Sequence, residues 1–178
     1  MKNIVAFGAS SSSKSINKQL AAYTAQLIDN SHIIILDLNN FEMPIYSEDF
    51  ERLNGIPKEA YDFKGIIKEA DGIIISFAEH NGAYTAAFKN IFDWISRIEE
   101  IVWYNKPMFL MATSNGSNGA SSVLKIAYNR ISRGNPNQIA NFSLPNFSDN
   151  FDEKIGIKNK NLNKKFIDSL SIFVDSLQ

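Results

Sequence analysis

The chain has 178 residues, 44% of them hydrophobic and 21% charged, which fits one compact domain over 1–178 and argues against disorder. With 18 Lys plus Arg against 19 Asp plus Glu, the net charge of −1 provides no global field for nucleic acid or an anionic membrane. Cysteine is absent, removing disulfides, thiol nucleophiles and cysteine metal sites; no apolar stretch reaches the roughly 18 residues of a membrane span, the start breaks into serines too early for a secretory leader, and a cytoplasmic protein is expected.

Residues 3–8 (NIVAFG) are a short apolar run ending in glycine, which predicts a buried strand. The serine-rich break 9–15 leads into an amphipathic helix over 16–29, with Leu20, Tyr23, Ala25 and Leu27 on its apolar face. Residues 31–37 (SHIIILD) make a second strand, and an irregular connection over 38–56 carries Pro44 and Gly55. Pro57 opens a helix over 58–70. A third strand covers 71–77 (DGIIISF), and the polar loop 78–82 precedes a helix over 84–99 with Phe88, Ile91, Phe92 and Ile95 as its stripe. The fourth strand is 107–113 (PMFLMAT), followed by the loop 114–119, a helix over 120–131 and a weaker strand over 138–144. The tail is polar until a last helix, about 161–177, with Phe166, Ile167, Leu170 and Phe173 inward.

Strands that are apolar throughout, instead of alternating, are buried on both faces, as in a parallel sheet between helix layers. Five such strands with intervening helices predict an α/β three-layer sandwich with strand order 2-1-3-4-5. Ligands of such sheets bind outside the carboxyl ends of the strands at the switch point, so the loops after strands 1, 3 and 4 are the ones to inspect.

The first of these, residues 8–17 (GASSSSKSIN), runs from a strand into a helix start, where unpaired N–H groups and the positive end of the dipole suit an anion. Its serine hydroxyls and the Asn17 amide add neutral donors for a phosphate, beyond the one serine that a helix cap needs. Residues 8–15 also match the Walker A pattern except that Ser13 replaces its second glycine, and Asp37 at a strand end offers a metal partner; this nucleotide-binding reading leaves the other two loops unexplained. The second loop, Ala78, Glu79, His80, Asn81 and Gly82, would adjoin the first and read a heterocycle edge. The third, 113–119 (TSNGSNG), is small and polar, and Gly116 and Gly119 permit positive φ and close approach to a ligand. A phosphate pocket beside a flat polar pocket suits a mononucleotide.

These loops, together with the Lys89-Asn90-x-x-Asp93-Trp94 segment in register with Asn81-Gly82, resemble the NADPH-dependent FMN reductase family over roughly residues 3–145. The resemblance implies a flavodoxin-like fold and an FMN-dependent enzyme that passes hydride from NAD(P)H to FMN and on to a quinone-like or other small-molecule acceptor. It implies that Ser10, Ser12, Ser15, Ile16 and Asn17 hold the FMN phosphate. Ala78, Glu79, His80 and Asn81 then line the ribityl chain and ring, and Ser114, Asn115, Gly116 and Gly119 close over it. Members commonly carry arginine where Ser12 stands and Pro-x-Tyr-Asn where Ala78-Glu79-His80-Asn81 stands. Members also form homodimers or homotetramers. The cofactor carries the chemistry, so no catalytic acid, base or metal ligand is named. Trp94 is expected to be a packing residue. A non-enzymatic flavodoxin-like electron carrier is the alternative.

Overall fold

In the computed structural model, which describes residues 1–177, the apolar runs become strands because their backbones can pair and their side chains bury on both sides. The order is β1 (Lys2–Ala9), α1 (Ile16–Gln26), β2 (Ser31–Leu36), a 3-10 turn (Leu38–Phe41), α2 (Glu48–Asn54), α3 (Lys58–Glu69), β3 (Gly72–Phe77) and α4 (Ala86–Ile95). Then come β4 (Met108–Thr113), α5 (Ser121–Ile131), β5 (Ala140–Leu144), α6 (Phe147–Asn150), the small antiparallel pair β6 (Phe151–Asp152) and β7 (Gly156–Ile157), and α7 (Lys160–Ser176). The five long strands form one parallel sheet in the order β2-β1-β3-β4-β5, as the pattern predicts.

Each face of the sheet is covered by its own layer. Phe63 and Ile67 of α3, Phe88 and Ile95 of α4 and Val123 and Ala127 of α5 pack on Val5, Phe7, Ile73 and Leu110. Leu20 and Ala21 of α1 with Phe166, Leu170 and Phe173 of α7 cover Ile4, Ile74, Phe109 and Met111 on the other face. β3 and β4 are buried at every residue and β1 from Ile4 onward.

Several expectations are corrected. β2 is an edge strand and only half-buried, with Ile35 exposed, so an apolar run alone did not guarantee two covered faces. The first helix stops at Gln26 instead of 29, and Leu27 lies exposed beyond it while Leu20, Ala21, Thr24 and Ala25 face inward. Ile167 of α7 is likewise exposed. Tyr84 lies outside α4, whose N-cap is Thr85. The connection 38–56 is not irregular throughout: it holds the 3-10 turn and α2, a helix with no buried residue whose start is capped by Ser47. The polar tail contains α6, β6 and β7, anchored by the stacked rings of Phe147 and Phe151 at 4.8 Å.

The Lys89-Asn90-x-x-Asp93-Trp94 segment is explained by packing. Asn90 accepts from the Tyr46 N–H at 2.9 Å and donates to the Met43 and Pro44 carbonyls at 3.1 Å. Trp94, fully buried, donates its indole N–H to Pro44 O at 2.7 Å, and Tyr46 packs edge-on against it. Both residues pin the chain that leads into α2 onto α4. Trp94 is thus the packing residue it was expected to be.

Candidate functional site

Three loops meet at one sheet edge because β1, β3 and β4 end side by side: Ala9 pairs with Phe77, and Phe77 with Ala112. The first loop curls tightly. Ser10 N–H donates to Gly8 O at 2.8 Å, Ser12 N–H to Ser10 Oγ at 3.1 Å and Ser15 N–H to Ser12 O at 3.1 Å. Ser15 caps α1, its hydroxyl oxygen accepting from Lys18 N–H at 3.2 Å. α1 lies directly over the end of β1: a Cβ at Gly8 would sit 2.4 Å from the Lys18 nitrogen, so only glycine fits there. The result is a helix start held over the strand end, with Ser10, Ser12, Ser15 and Ile16 around it.

Asn17 departs from the expectation. Its side chain is buried, accepting from Ser76 Oγ at 2.7 Å and Thr113 N–H at 3.0 Å and donating to Thr113 O at 3.1 Å. It locks α1 to the ends of β3 and β4, and its amide is not free for a phosphate. Its backbone N–H is free, as are those of Ser11, Ser13, Lys14 and Ile16, none of which has an acceptor among the described residues. A cluster of unpaired, neutral backbone donors at a helix start is a donor set that fits a phosphate monoester such as that of FMN. It does so without an arginine.

The Walker-like alternative needs Asp37 as a metal partner, and that carboxylate is already engaged. Asp37 is bound by Lys18 at 2.5 Å and caps the following 3-10 turn through Asn39 N–H at 3.0 Å. The Lys18 hydrogen bond, with that from Asn39, holds its carboxyl below the usual range. It is an ion-pair and capping residue rather than a metal partner.

In the second loop His80 and Ala83 exchange N–H···O bonds, both at 3.1 Å, across Asn81 (φ 52) and Gly82 (φ 76). Two consecutive left-handed residues make the tight turn for which Asn-Gly is favoured. His80 is exposed, and its imidazole has no hydrogen-bond partner among the described residues. Ala78 and Glu79 are half-buried at the strand end. The Glu79 carboxylate accepts from Val123 N–H in α5 at 2.9 Å. Thr85 donates its hydroxyl to Ala9 O at 2.9 Å and caps α4 by accepting from Phe88 N–H at 3.2 Å, tying this loop to the end of β1. The neighbouring Tyr84 has its hydroxyl buried, which pushes its pKa up to about 12.

The third loop is carried by α6, which the sequence reading missed. Ser114 O accepts from Phe147 N–H at 3.0 Å, Gly116 O from Asn146 N–H at 3.1 Å, and Asn115 Oδ1 from the Ser148 hydroxyl at 2.8 Å. Gly119 is left-handed (φ 58) and so close to the next strand that a Cβ would come 2.5 Å from Ser143 Oγ; Gly116 does not adopt positive φ. The available signal for α6 was a pair of phenylalanines, 147 and 151, in an otherwise polar tail.

Comparison with known proteins agrees with this architecture. A model of the family described as NADPH-dependent FMN reductase matches residues 2–146. A Burkholderia 2-hydroxy-1,4-benzoquinone reductase is 35% identical over 109 residues, covering 60% of this chain and 57% of that protein. The quinone reductase of Escherichia coli K12 is 29% identical over 80 residues, 45% of this chain and 43% of that protein. The chain thus spans about half the length of these relatives. Among solved structures, the flavoenzyme NAD(P)H:(acceptor) oxidoreductase FerB of Paracoccus denitrificans superposes with a TM-score of 0.76 at 20% identity, covering 99% of this chain and 97% of that one, a likeness of fold.

Proposed function

Since the chain belongs to the NADPH-dependent FMN reductase family, we propose that it is an FMN-dependent NAD(P)H oxidoreductase acting on a quinone-like or other small-molecule acceptor. When bound, FMN supplies the chemistry, taking hydride from the nicotinamide and releasing electrons to the acceptor. The protein's share is binding and orientation. The free N–H groups of Ser11, Ser13, Lys14, Ile16 and Asn17, with the hydroxyls of Ser10 and Ser12, would hold the phosphate; Ser15 and Ile16 would set the helix start on which it rests. Ala78 to Asn81 would flank the ribityl chain and ring, the tight turn fixing their backbone groups, and Ser114, Asn115, Gly116 and Gly119 would cover it from the other side.

The observation that carries this reading is the cluster of unengaged backbone donors at the start of α1, on the same sheet edge as the other two loops. The same reading makes the chain one FMN-binding domain working in the cytoplasm, where reduced nicotinamides are available. It also makes the protein a homodimer or homotetramer, for which the exposed Ile45 and Leu53 on the 38–56 connection provide apolar surface. The test is visible absorbance of the purified protein, then addition of NADPH without oxygen. Flavin bands that bleach on mixing are expected. Bands that persist with either nicotinamide would make the protein an electron carrier instead, and a colourless protein that takes up no FMN would sink the flavin reading.

A further inference from the structure

We propose that Glu79 is a positioning residue that couples the second and third loops by capping α5 from outside that helix. α5 begins without a cap of its own. Ala120 occupies the N-cap in a left-handed conformation (φ 57) and makes no side-chain bond. Ser121, the first helical residue, turns its hydroxyl to Asn118 Oδ1 at 2.7 Å. The first N–H groups of a helix need acceptors, and a side-chain oxygen on the N–H of the third residue is the usual remedy.

Here that oxygen comes from 44 residues away: Glu79 Oε2 accepts from Val123 N–H, the third residue of α5, at 2.9 Å. A carboxylate in this place also meets the positive end of the helix dipole. No lysine, arginine or histidine pairs with Glu79 among the described residues. Its counter-charge is therefore the helix start.

Both loops are otherwise anchored away from each other. The second is held to the end of β1 by Thr85, and the third to β5 and α6 by Gly119 O, Ser114 O and Gly116 O. The Glu79–Val123 bond ties the second loop to the helix into which the third loop leads, and so holds in register the two loops between which a flat ring would lie. The effect on the cofactor rests on the FMN reading above; the cap itself does not.

The experiment compares the full chain with Glu79→Gln and Glu79→Ala. Glutamine keeps an oxygen that can accept from Val123 and removes the charge, whereas alanine removes both. In flavin-free protein, amide exchange at Val123 is expected to quicken about fivefold in Glu79→Ala, the usual worth of a cap, and much less in Glu79→Gln. In FMN-loaded protein, oxidised FMN is expected to bind several-fold more weakly to Glu79→Ala than to Glu79→Gln. Both variants should bind reduced FMN more tightly relative to oxidised, because a negative charge has left the edge. A threefold change in that ratio raises the two-electron potential by about 14 mV.

Val123 exchange that is equal in all three proteins would overturn the proposal, and so would FMN affinity and potential unmoved by Glu79→Ala. If the wild-type chain binds no FMN, the functional reading falls, and the exchange result alone decides whether Glu79 caps α5. Rescue by Gln of exchange and affinity but not of potential separates positioning from charge, a split that a merely destabilising substitution does not produce.

Discussion

Asn17 is legible in the sequence as a polar residue at a helix start, but its partners are not. Ser76 and Thr113 lie 59 and 96 residues away, and no local pattern announces a bond of that span. Replacing Asn17 by Ala leaves the Thr113 N–H and the Ser76 hydroxyl buried without a partner, which costs about 2–4 kcal/mol. At this chain length that lowers the melting midpoint by roughly 5–12 °C. Its backbone N–H is untouched, so whatever remains folded should still take up FMN, and thermal unfolding together with flavin titration checks both halves. Asp37 makes a milder case. Lys18 depresses its carboxyl in the folded state, so its contribution is present above about pH 4, the unfolded range, and fades as pH falls through the lower folded value. The pair is about one-third exposed, with side-chain accessibilities of 36% and 34%, so the contribution is at most about 1 kcal/mol. Asp37→Asn should therefore lose a little stability at pH 7 and show a shallower decline towards pH 3, measured by urea unfolding at both pH values.

Elements were readable where burial wrote a pattern into them. β1, β3 and β4 are apolar because both faces are covered, and α4 shows its stripe because one face is. α2 has no buried residue and so no stripe; it persists through the Ser47 cap, the packing of Phe50 on Trp94, the Glu51–Arg97 ion pair and contacts made just before it. The contacts before the helix come from Asn90 and Trp94, so the motif that carries the family resemblance serves to fasten a neighbouring segment. Asn90→Ala removes three hydrogen bonds to residues 43–46 and should loosen the segment locally while leaving the sheet intact. Trypsin reports this directly, because Arg52 lies exposed in α2. A local loss of about 1–2 kcal/mol makes cleavage there roughly 5–30 times faster. Unchanged cleavage at Arg52 would mean that Trp94 and the Glu51–Arg97 ion pair hold the segment without Asn90.

At the scale of the whole molecule, the family match ends at residue 146, yet the structure does not. α7 completes the face of the sheet that α1 begins, with Phe166 and Phe173 packed on Phe109 at ring distances of 6.1 and 6.2 Å. Helical spacing in the tail made this inward face legible, but it also placed Ile167 inside, because a period of 3.6 residues defines a stripe and not its edges. In the structure Ile167 is 47% exposed while Phe173 is fully buried. The two residues differ by six positions on one helix and should differ sharply in energy. Phe173→Ala empties a fully buried aromatic site against the sheet and should cost about 3–5 kcal/mol, a large part of the 5–15 kcal/mol that holds a typical domain. Ile167→Ala removes a side chain that is half in water already and should stay within about 0.5 kcal/mol. Urea unfolding of the two variants side by side decides the matter. A comparable loss in both would mean that α7 buries a wider face than its contacts show, either by rotating on the sheet or by meeting a second copy of the chain.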